Sequence, residues 1–372
     1  MAATYVSGAE LAEGQASQEP KPVMVEDIFK DVRTLKAISV NEFMATMGFF
    51  SASLGTSCTH CHVDESGGNW ARYADDTANK EMARGMIAMV SAINKNYFGG
   101  RRMLTCYSCH RGGERPLVTP SLAELYSTPP TPEPDQLLPG GKNTKSADQI
   151  LDKYIHALGG LQRLDALMSF VAKGVFQSYG SPQKNPMEVF FKAPNQRAMI
   201  VHTAEGDSAS TFDGRAGWVA APATDRPVTL TALSGGDLEG ARLDAELSSP
   251  ARIKQALSQW RTGSPASIDD HEVDVVQGTS DGRYPVNLYF DSETGLLVRL
   301  VRYADSPVGL SPTQIDYADY REIAGIKMPF RWTVTWLDGR SIIQLSEVRP
   351  NVPIDAAMFA RPAQASPAKN GQ

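Results

Sequence analysis

The four cysteines of this chain stand in two runs of one pattern, Cys58-Thr59-His60-Cys61-His62 and Cys106-Tyr107-Ser108-Cys109-His110. Both read Cys-x-x-Cys-His, and together they use every thiol in the sequence. Two intervening residues allow one tight turn that aims both thiols the same way, and the next residue adds an imidazole. The fold must therefore present two thiols and a nitrogen ligand at one place, and do so twice. A macrocycle with two vinyl groups and a central iron meets that demand. The thiols add across the vinyls and the histidine takes one axial position of the iron. Neutral imidazole is a good iron ligand. The pattern thus calls for two covalently attached c-type haems. Cys58, Cys61 and His62 would hold the first, and Cys106, Cys109 and His110 the second.

Two rival chemistries use Cys-x-x-Cys. Zinc would pool ligands from both runs, and an all-thiolate site would leave His62 and His110 without a role. A redox dithiol of the thioredoxin kind normally occurs once, at the start of a helix.

A methionine-bearing helical stretch precedes each run. In the first, Asn41 to Phe50, helical spacing puts Phe43, Met47 and Phe50 on one face. In the second, Met82, Met86, Met89 and Ile93 recur at helical spacing. Helix, loop and haem motif form a degenerate repeat. Methionines at such spacing often fill gaps in cores. However, five of the chain's 13 methionines fall on these two stretches. A thioether is a soft iron ligand, and His/Met ligation raises a haem's potential. One methionine per haem is the expectation.

These residues resemble a known family. Glu42-Phe43…Met47, Leu54-Gly55-Thr56-Ser57-Cys58, Asn79-Lys80…Ala83-Arg84-Gly85-Met86…Met89…Ile93-Asn94 and Thr105-Cys106-Tyr107-Ser108-Cys109-His110-Arg111-Gly112 are similar to the cytochrome c subunit of photosynthetic reaction centres and its shorter relatives. The likeness spans about Asn41 to Gly113, roughly a fifth of the chain. It implies that Met47 serves the first haem with His62, and Met86 the second with His110. Met44, Met82 and Met89 are then packing neighbours, with Met44 and Met89 next in line as ligands. It also implies that Arg111, locked beside His110, pairs with a haem propionate, since guanidinium meets carboxylate bidentately. Arg72, Arg84, Arg101 and Arg102 are weaker candidates for the same role. The family's subunit holds four haems, whereas this chain has motifs for two. The loop Lys95-Asn96-Tyr97-Phe98-Gly99-Gly100 lacks the histidine that serves a distal haem there. The chain therefore resembles half of that subunit.

Length and charge set further bounds. The 372 residues suggest two domains, and a net charge of −6 argues against nucleic acid as a partner. An acidic electron carrier can instead be steered to a basic face on a redox partner protein or a membrane-bound electron-transfer complex. Covalent haem attachment occurs outside the cytoplasm, so a periplasmic or otherwise extracytoplasmic site is expected. The first residues show no signal peptide in this numbering.

Along the chain the pattern predicts a flexible segment over 1–24 and a small, mainly α dihaem cytochrome c domain over 25–118. A Pro-rich linker over 119–145, a β-rich domain over 146–364 and a tail over 365–372 follow. A first helix is expected near 25–36 and a short one at Ser121–Tyr126. Proline is dense at Pro129-Pro130-Thr131-Pro132-Glu133-Pro134.

The second domain opens with helices over 148–158 and Leu161–Met168. Period-two stretches then recur to Arg349, broken by Ser234–Ala245 and Pro250–Trp260, which read as helical or irregular. Asp291 to Gly295 and Asp338-Gly339 signal hairpins. The expectation is an α+β domain with a long antiparallel, curved sheet wrapping helices, which resembles the open half-barrel of lipoprotein carriers. Met328, Phe330, Trp332, Val334 and Trp336 alternate along one strand, and this apolar layer reads first as core.

His60 reads as a loop residue, and His156, His202 and His271 as structural or surface groups. No catalytic constellation stands out in the second domain. The function expected is electron transfer through two His/Met haems, with no catalysis. The second domain would be a docking, assembly or ligand-binding module. Two alternatives stay open. One is a lipid- or quinone-binding protein with redox haems. The other is a dihaem peroxidase-type enzyme, which would need an open iron. An oligomer that stacks haems between copies is also compatible.

Overall fold

A computed structural model describes residues 21–67, 69–120, 122, 137–141, 144–224, 226–279 and 284–363. The proline run 129–134, nearly all of the helix expected at Ser121–Tyr126, most of the segment 1–24 and the tail 365–372 lie outside the described residues.

The N-terminal region is helical. Short α1 (Val25–Ile28) leads to α2 (Val40–Leu54), α3 (Ala78–Phe98) and α4 (Cys106–His110). Local chemistry sets the ends. Ser39 Oγ accepts from the Glu42 N–H at 3.2 Å while the Glu42 carboxylate accepts from the Ser39 N–H at 2.9 Å. This reciprocal pair caps α2. Gly55, at φ 65°, ends it. Thr77 caps α3, and Gly99, at φ 62°, ends it.

The helix expected over 25–36 shrinks to one turn. Phe29 is already extended, and Leu35 and Ala37 take positive φ of 54° and 59°. The chain doubles back, so that the Val25 N–H reaches Ile38 O at 3.0 Å and the Ala37 N–H reaches Glu26 Oε1 at 2.6 Å. Asp31 and Arg33 are thereby carried onto α3 instead of lying along a helix of their own.

In the C-terminal domain α5 (Ala147–Ala157) and α6 (Leu161–Asp165) precede the sheet. The strands are β1 (Ser169–Ser178), β2 (Asn185–Lys192), β3 (Gln196–Thr203), β4 (Gly206–Phe212), β5 (Gly217–Ala220) and β6 (Leu230–Ala232). After α7 (Gly235–Glu246) and α8 (Ile253–Ala256) come β7 (Gln259–Thr262), β8 (Ala266–Ile268), β9 (His271–Thr279) and β10 (Val286–Asp291). The last four are β11 (Leu297–Ser306), β12 (Gly309–Ile323), β13 (Ile326–Trp336) and β14 (Gly339–Pro350).

These strands form a 14-stranded antiparallel sheet in the order β6-β5-β4-β3-β2-β1-β14-β13-β12-β11-β10-β9-β7, with β8 paired to β9. The first strand thus pairs with the last at the centre, Phe170 opposite Pro350. The chain leaves the sheet at one edge, β6, and re-enters at the other, β7. The segment holding α7 and α8 must therefore cross one face. Together with α5 and α6 it covers the inner side of the curved, open sheet. Ile150, Leu151 and Tyr154 of α5, Leu243 of α7 and Ile253 of α8 meet Phe191, Leu288 and Phe330 there in one core.

Two details differ from the sequence expectation. β7 and β8 were not foreseen; β7 begins inside Pro250–Trp260, which reads as helical or irregular, and β8 lies between that stretch and β9. The β13–β14 turn is shifted by one residue, because Trp336 pairs with Gly339 and the turn residues are Leu337 and Asp338. The Asp338 carboxyl packs on Gly48 of α2, where a Cβ would come within 2.8 Å of Asp338 Cγ. That contact joins the two domains. So does the Trp70 indole N–H, which donates to Ala223 O at 2.9 Å.

Candidate functional site

The first cysteine pair flanks a single 3-10 turn, Cys58–His60. The Cys61 and His62 amides both return to Cys58 O, at 3.2 and 3.0 Å. The start of α3 fixes the loop from the other side. Thr77 Oγ1 donates to Cys61 O at 2.6 Å and Asn79 Nδ2 to His60 O at 2.8 Å. The His62 ring meets Tyr73 edge-on at 4.8 Å, and Tyr73 stacks on Trp70 at 5.3 Å. Burial lowers the His62 pKa, and the nearby Lys80 ammonium adds to the effect. The ring is therefore held neutral, the form that binds metal. Its Nδ1 is buried without a hydrogen-bond partner.

The second pair lies on α4. Thr105 caps the helix, its N–H donating to Ser108 Oγ at 3.0 Å, and Arg111 ends it at φ 49°. The Gly112 N–H then donates to Ser53 O at 2.9 Å, so the motif leans on the end of α2. His110 Nδ1 lies 3.2 Å from Gly113 O. Donating there fixes the tautomer and leaves Nε2 free as a ligand, an arrangement usual for metal-bound histidine.

All four cysteines are free thiols. The Cys61 and Cys106 thiols are pushed up in pKa, first by burial and secondarily by the paired cysteine. A redox dithiol needs the opposite shift. Nor do the two pairs converge on a zinc site. Among the described residues no three His, Cys, Asp or Glu side chains come together for a metal. The donor set that remains at each motif is two thiols and one imidazole, which fits a covalent haem.

The flanking helices fit the same group. Of the 21 residues of α3, Asn94 is the buried one, while Met82, Met86 and Met89 are 63%, 42% and 46% exposed. An apolar stripe so placed needs an apolar cover. Met47 is half-buried on α2, whose buried face is instead Thr46, Gly48, Phe49 and Ser53. Those small side chains let α2 approach α4 and the sheet. Asn94 is the site residue that sequence reasoning passed over. Its amide accepts from the Met103 and Leu104 N–H groups at 3.1 and 3.0 Å and donates to Leu104 O at 2.7 Å. It thereby fastens α3 to the chain entering the second motif. It lay inside the family-like stretch, but a lone polar residue in an apolar stripe carries no signal of its partner.

The arginines divide. Arg84 is spent on Asp31, Asp76 and Glu81, Arg72 on Asp75, and Arg102 on Asp305. Arg101 and Arg111 make no ion pair among the described residues; Arg101 donates to Phe98 O at 3.4 Å, and Arg111 directly follows His110. His156 and His271 are exposed, and His202 pairs with Asp207 at 2.8 Å.

Asp31 anchors the charge cluster on α3. Burial opposes its ionisation, but hydrogen bonds from Arg84 and Lys80 outweigh that and hold its carboxyl well below the usual carboxylate range. A depressed folded pKa gives stability that is present above the unfolded value of about 4 and is lost as pH falls through the folded one. Asp31→Ala should destabilise the helical region by roughly 1.5–3 kcal/mol at pH 7, since it removes the charge-assisted hydrogen bonds from Arg84 and Lys80. The gap to the parent should narrow as pH falls below about 4. Urea unfolding across pH measures both; a gap that is independent of pH would refute the assignment.

The C-terminal domain holds a cavity of about 330 Å³ between the sheet and α5–α7. Met328, Trp332, Val334 and Trp336 of β13 face it, together with Tyr154 and Tyr317. The alternating layer thus divides: Phe330 and Met328 belong to the packed core, as expected, while Met328, Trp332, Val334 and Trp336 also line a cavity, because the helices bridge the curved sheet without filling it. Arg197, Asp244 and Lys327 are the charged residues of its lining. Burial drives both tyrosine pKa values up, so their phenols are neutral. Trp336, 40% exposed, stands beside the Asp338 contact with α2.

Residues 2–147 match the family model of the photosynthetic reaction centre cytochrome C subunit. The photosynthetic reaction center cytochrome c subunit of Thermochromatium tepidum is 34% identical over 122 residues, 32% of this chain and 28% of that protein. The chain thus spans less than a third of the length of this curated relative. Among solved structures, a LolA superfamily protein from Nitrosomonas europaea is 16% identical, covering 58% of this chain and 98% of its own, with a TM-score of 0.41. A DUF1329 family protein from Desulfovibrio piger is 13% identical with the same coverage and the same TM-score of 0.41. No helix among the described residues is long and apolar enough to cross a membrane.

Proposed function

We propose that this chain, whose N-terminal part matches the reaction centre cytochrome c family, is an extracytoplasmic dihaem electron carrier. Cys58 and Cys61 bind the first haem, with His62 and Met47 as axial ligands. Cys106 and Cys109 bind the second, with His110 and Met86. Arg111 pairs with a propionate of the second haem. The haem domain is 25–118, and 146–364 is the module that docks or assembles it with a redox partner. The observation that carries this reading is the pair of Cys-x-x-Cys-His turns, each with two thiols outside any disulfide and an imidazole nitrogen free of a competing hydrogen bond.

Bound haem supplies a one-electron iron couple. The chain's own residues do the rest. His62 and His110 offer nitrogen, the methionine stripe offers sulfur and apolar cover, and Asn94 fixes the distance between α3 and the second motif. Six-coordinate irons leave no site for substrate, which favours a carrier over a peroxidase. Redox titration of the purified protein should give two one-electron waves with low-spin spectra in both states. A high-spin component that turns over peroxide would favour the enzyme instead.

A second reading concerns the cavity. Its apolar walls suit the chain of a lipid or a quinone, and two neutral phenols could meet a carbonyl oxygen. Organic extraction of the purified protein should then recover such a molecule. Val334→Phe, which fills the cavity, should cut its yield at least about tenfold, the equivalent of ~1.4 kcal/mol of lost affinity. Extracts free of apolar ligand in both proteins would leave the domain as a docking module alone.

A further inference from the structure

A second cavity, of about 340 Å³, lies beside Cys106, and its walls come from both domains. One side is Ile87, Val90 and Asn94 of α3 with Leu104; the other is Pro307 and Val308. Those two residues form the turn between β11 and β12, closed by the Ser306–Gly309 pair. We propose that this turn of the β-rich domain is a wall of the second haem's crevice, and that it makes the second haem the higher in potential of the two. This rests on the dihaem reading above.

Three separate contacts fix the turn against the haem domain. First, the Arg102 guanidinium pairs with Asp305, donates to Ser306 O and reaches the Tyr284 hydroxyl at 3.1 Å. Arg102 lies four residues before Cys106, so the clamp sits at the entrance to the motif. Second, Gly309 packs on the Phe49 ring of α2 and on Thr105, the cap of α4. A Cβ there would collide with Phe49 and crowd Thr105. Third, the turn is internally braced: buried Ser306 Oγ accepts from the Gly309 N–H at 3.2 Å and donates to Gly309 O at 2.7 Å. A loosely docked domain would need neither a glycine at the contact nor a buried brace behind it.

The chemistry of the wall gives the direction. Pro307 and Val308 bring no polar side-chain atom, and they exclude water from the face they cover. A ferric haem carries one more positive charge than a ferrous one, so a dry, low-dielectric wall favours the reduced state and raises the potential. Lys95, a cation on the same lining, acts in the same sense, whereas the charge of Arg102 is offset by its partner Asp305. Beside the first motif the contact with the β-rich domain is of another kind, a single hydrogen bond from the Trp70 indole to Ala223 O at 2.9 Å.

The test is redox titration of the full holoprotein and its variants. The wave absent from Cys106→Ala/Cys109→Ala protein identifies the second haem. In the parent that wave should be the more positive. Val308→Asp, with two haems attached, should lower it by at least tenfold in the reduction equilibrium, about 59 mV for one electron, and leave the other wave in place. Val308→Ile should leave both unchanged. Should Val308→Asp fail to fold, Arg102→Gln, which unfastens the turn and leaves Asp305 uncompensated, should move the same wave the same way. A folded two-haem Val308→Asp or Arg102→Gln protein with both waves at parental positions overturns the inference while the dihaem reading stands. A chain that takes up no haem overturns both.

Discussion

Alanine at both Cys58 and Cys61 will leave one covalent haem where the parent carries two. The effect is all or none, because each haem depends on its own pair of thioether bonds and none of the four cysteines is shared or paired in a disulfide. The loop itself should survive the change. Its shape comes from backbone bonds to Cys58 O and from Thr77 and Asn79 on α3, not from the thiols. The matching change at Cys106 and Cys109 should also remove one haem, with a larger cost in stability. There the motif is a helix wedged between the end of α2 and the β11–β12 turn, so an unfilled crevice faces packed elements on both sides. Denatured-protein haem assays on the two double variants measure this directly. Two haems retained in either one would mean that those thiols are not the attachment points.

The second large effect is on the axial methionines. Met86→Ala should turn the second haem from low-spin to high-spin and let it bind carbon monoxide; Met47→Ala should do the same at the first. Neither should release a haem, since the thioethers and histidines remain. The effect can be separated from ordinary packing. A fully buried methionine cut back to alanine costs about 2–5 kcal/mol, but Met86 is 42% exposed in the protein chain alone, which predicts little direct loss. A spectral change without a matching fall in stability therefore marks a ligand. The half-buried Met47 should show some of both. If both variants stay low-spin, the ligands lie elsewhere on the same helices, with Met44 and Met89 the next to test.

Much of this architecture was legible along the chain because it depends on local rules. The period of two marked β1 to β6 and β9 to β14, helical spacing from Asn41 to Phe50 marked α2, and Cys-x-x-Cys-His marked the candidate site. What stayed hidden depends on residues distant in sequence. Val25 to Leu35 has a helical stripe, yet Asp31 and Arg33 are captured by α3 some fifty positions away. The Asp338-Gly339 signal was real but slipped by one, because the Asp338 carboxyl is needed against Gly48. The alternating wall of β13 has the same pattern whether it faces packed side chains or a cavity. Only the crossing path of α7 and α8 decides which. The Pro-rich linker suggested two independent bodies, whereas Arg102, Phe49 and Gly48 fasten the haem domain to the ends of the sheet.

The most direct test of the central claim is the absorption spectrum of the purified protein, oxidised and reduced, with haem stoichiometry and a carbon monoxide addition. Two covalent haems per chain, low-spin and indifferent to carbon monoxide, are what closed His/Met ligation at both motifs predicts. Protein made with a working haem-attachment system that carries no haem, or one that attaches only by exchangeable bonds, would contradict it.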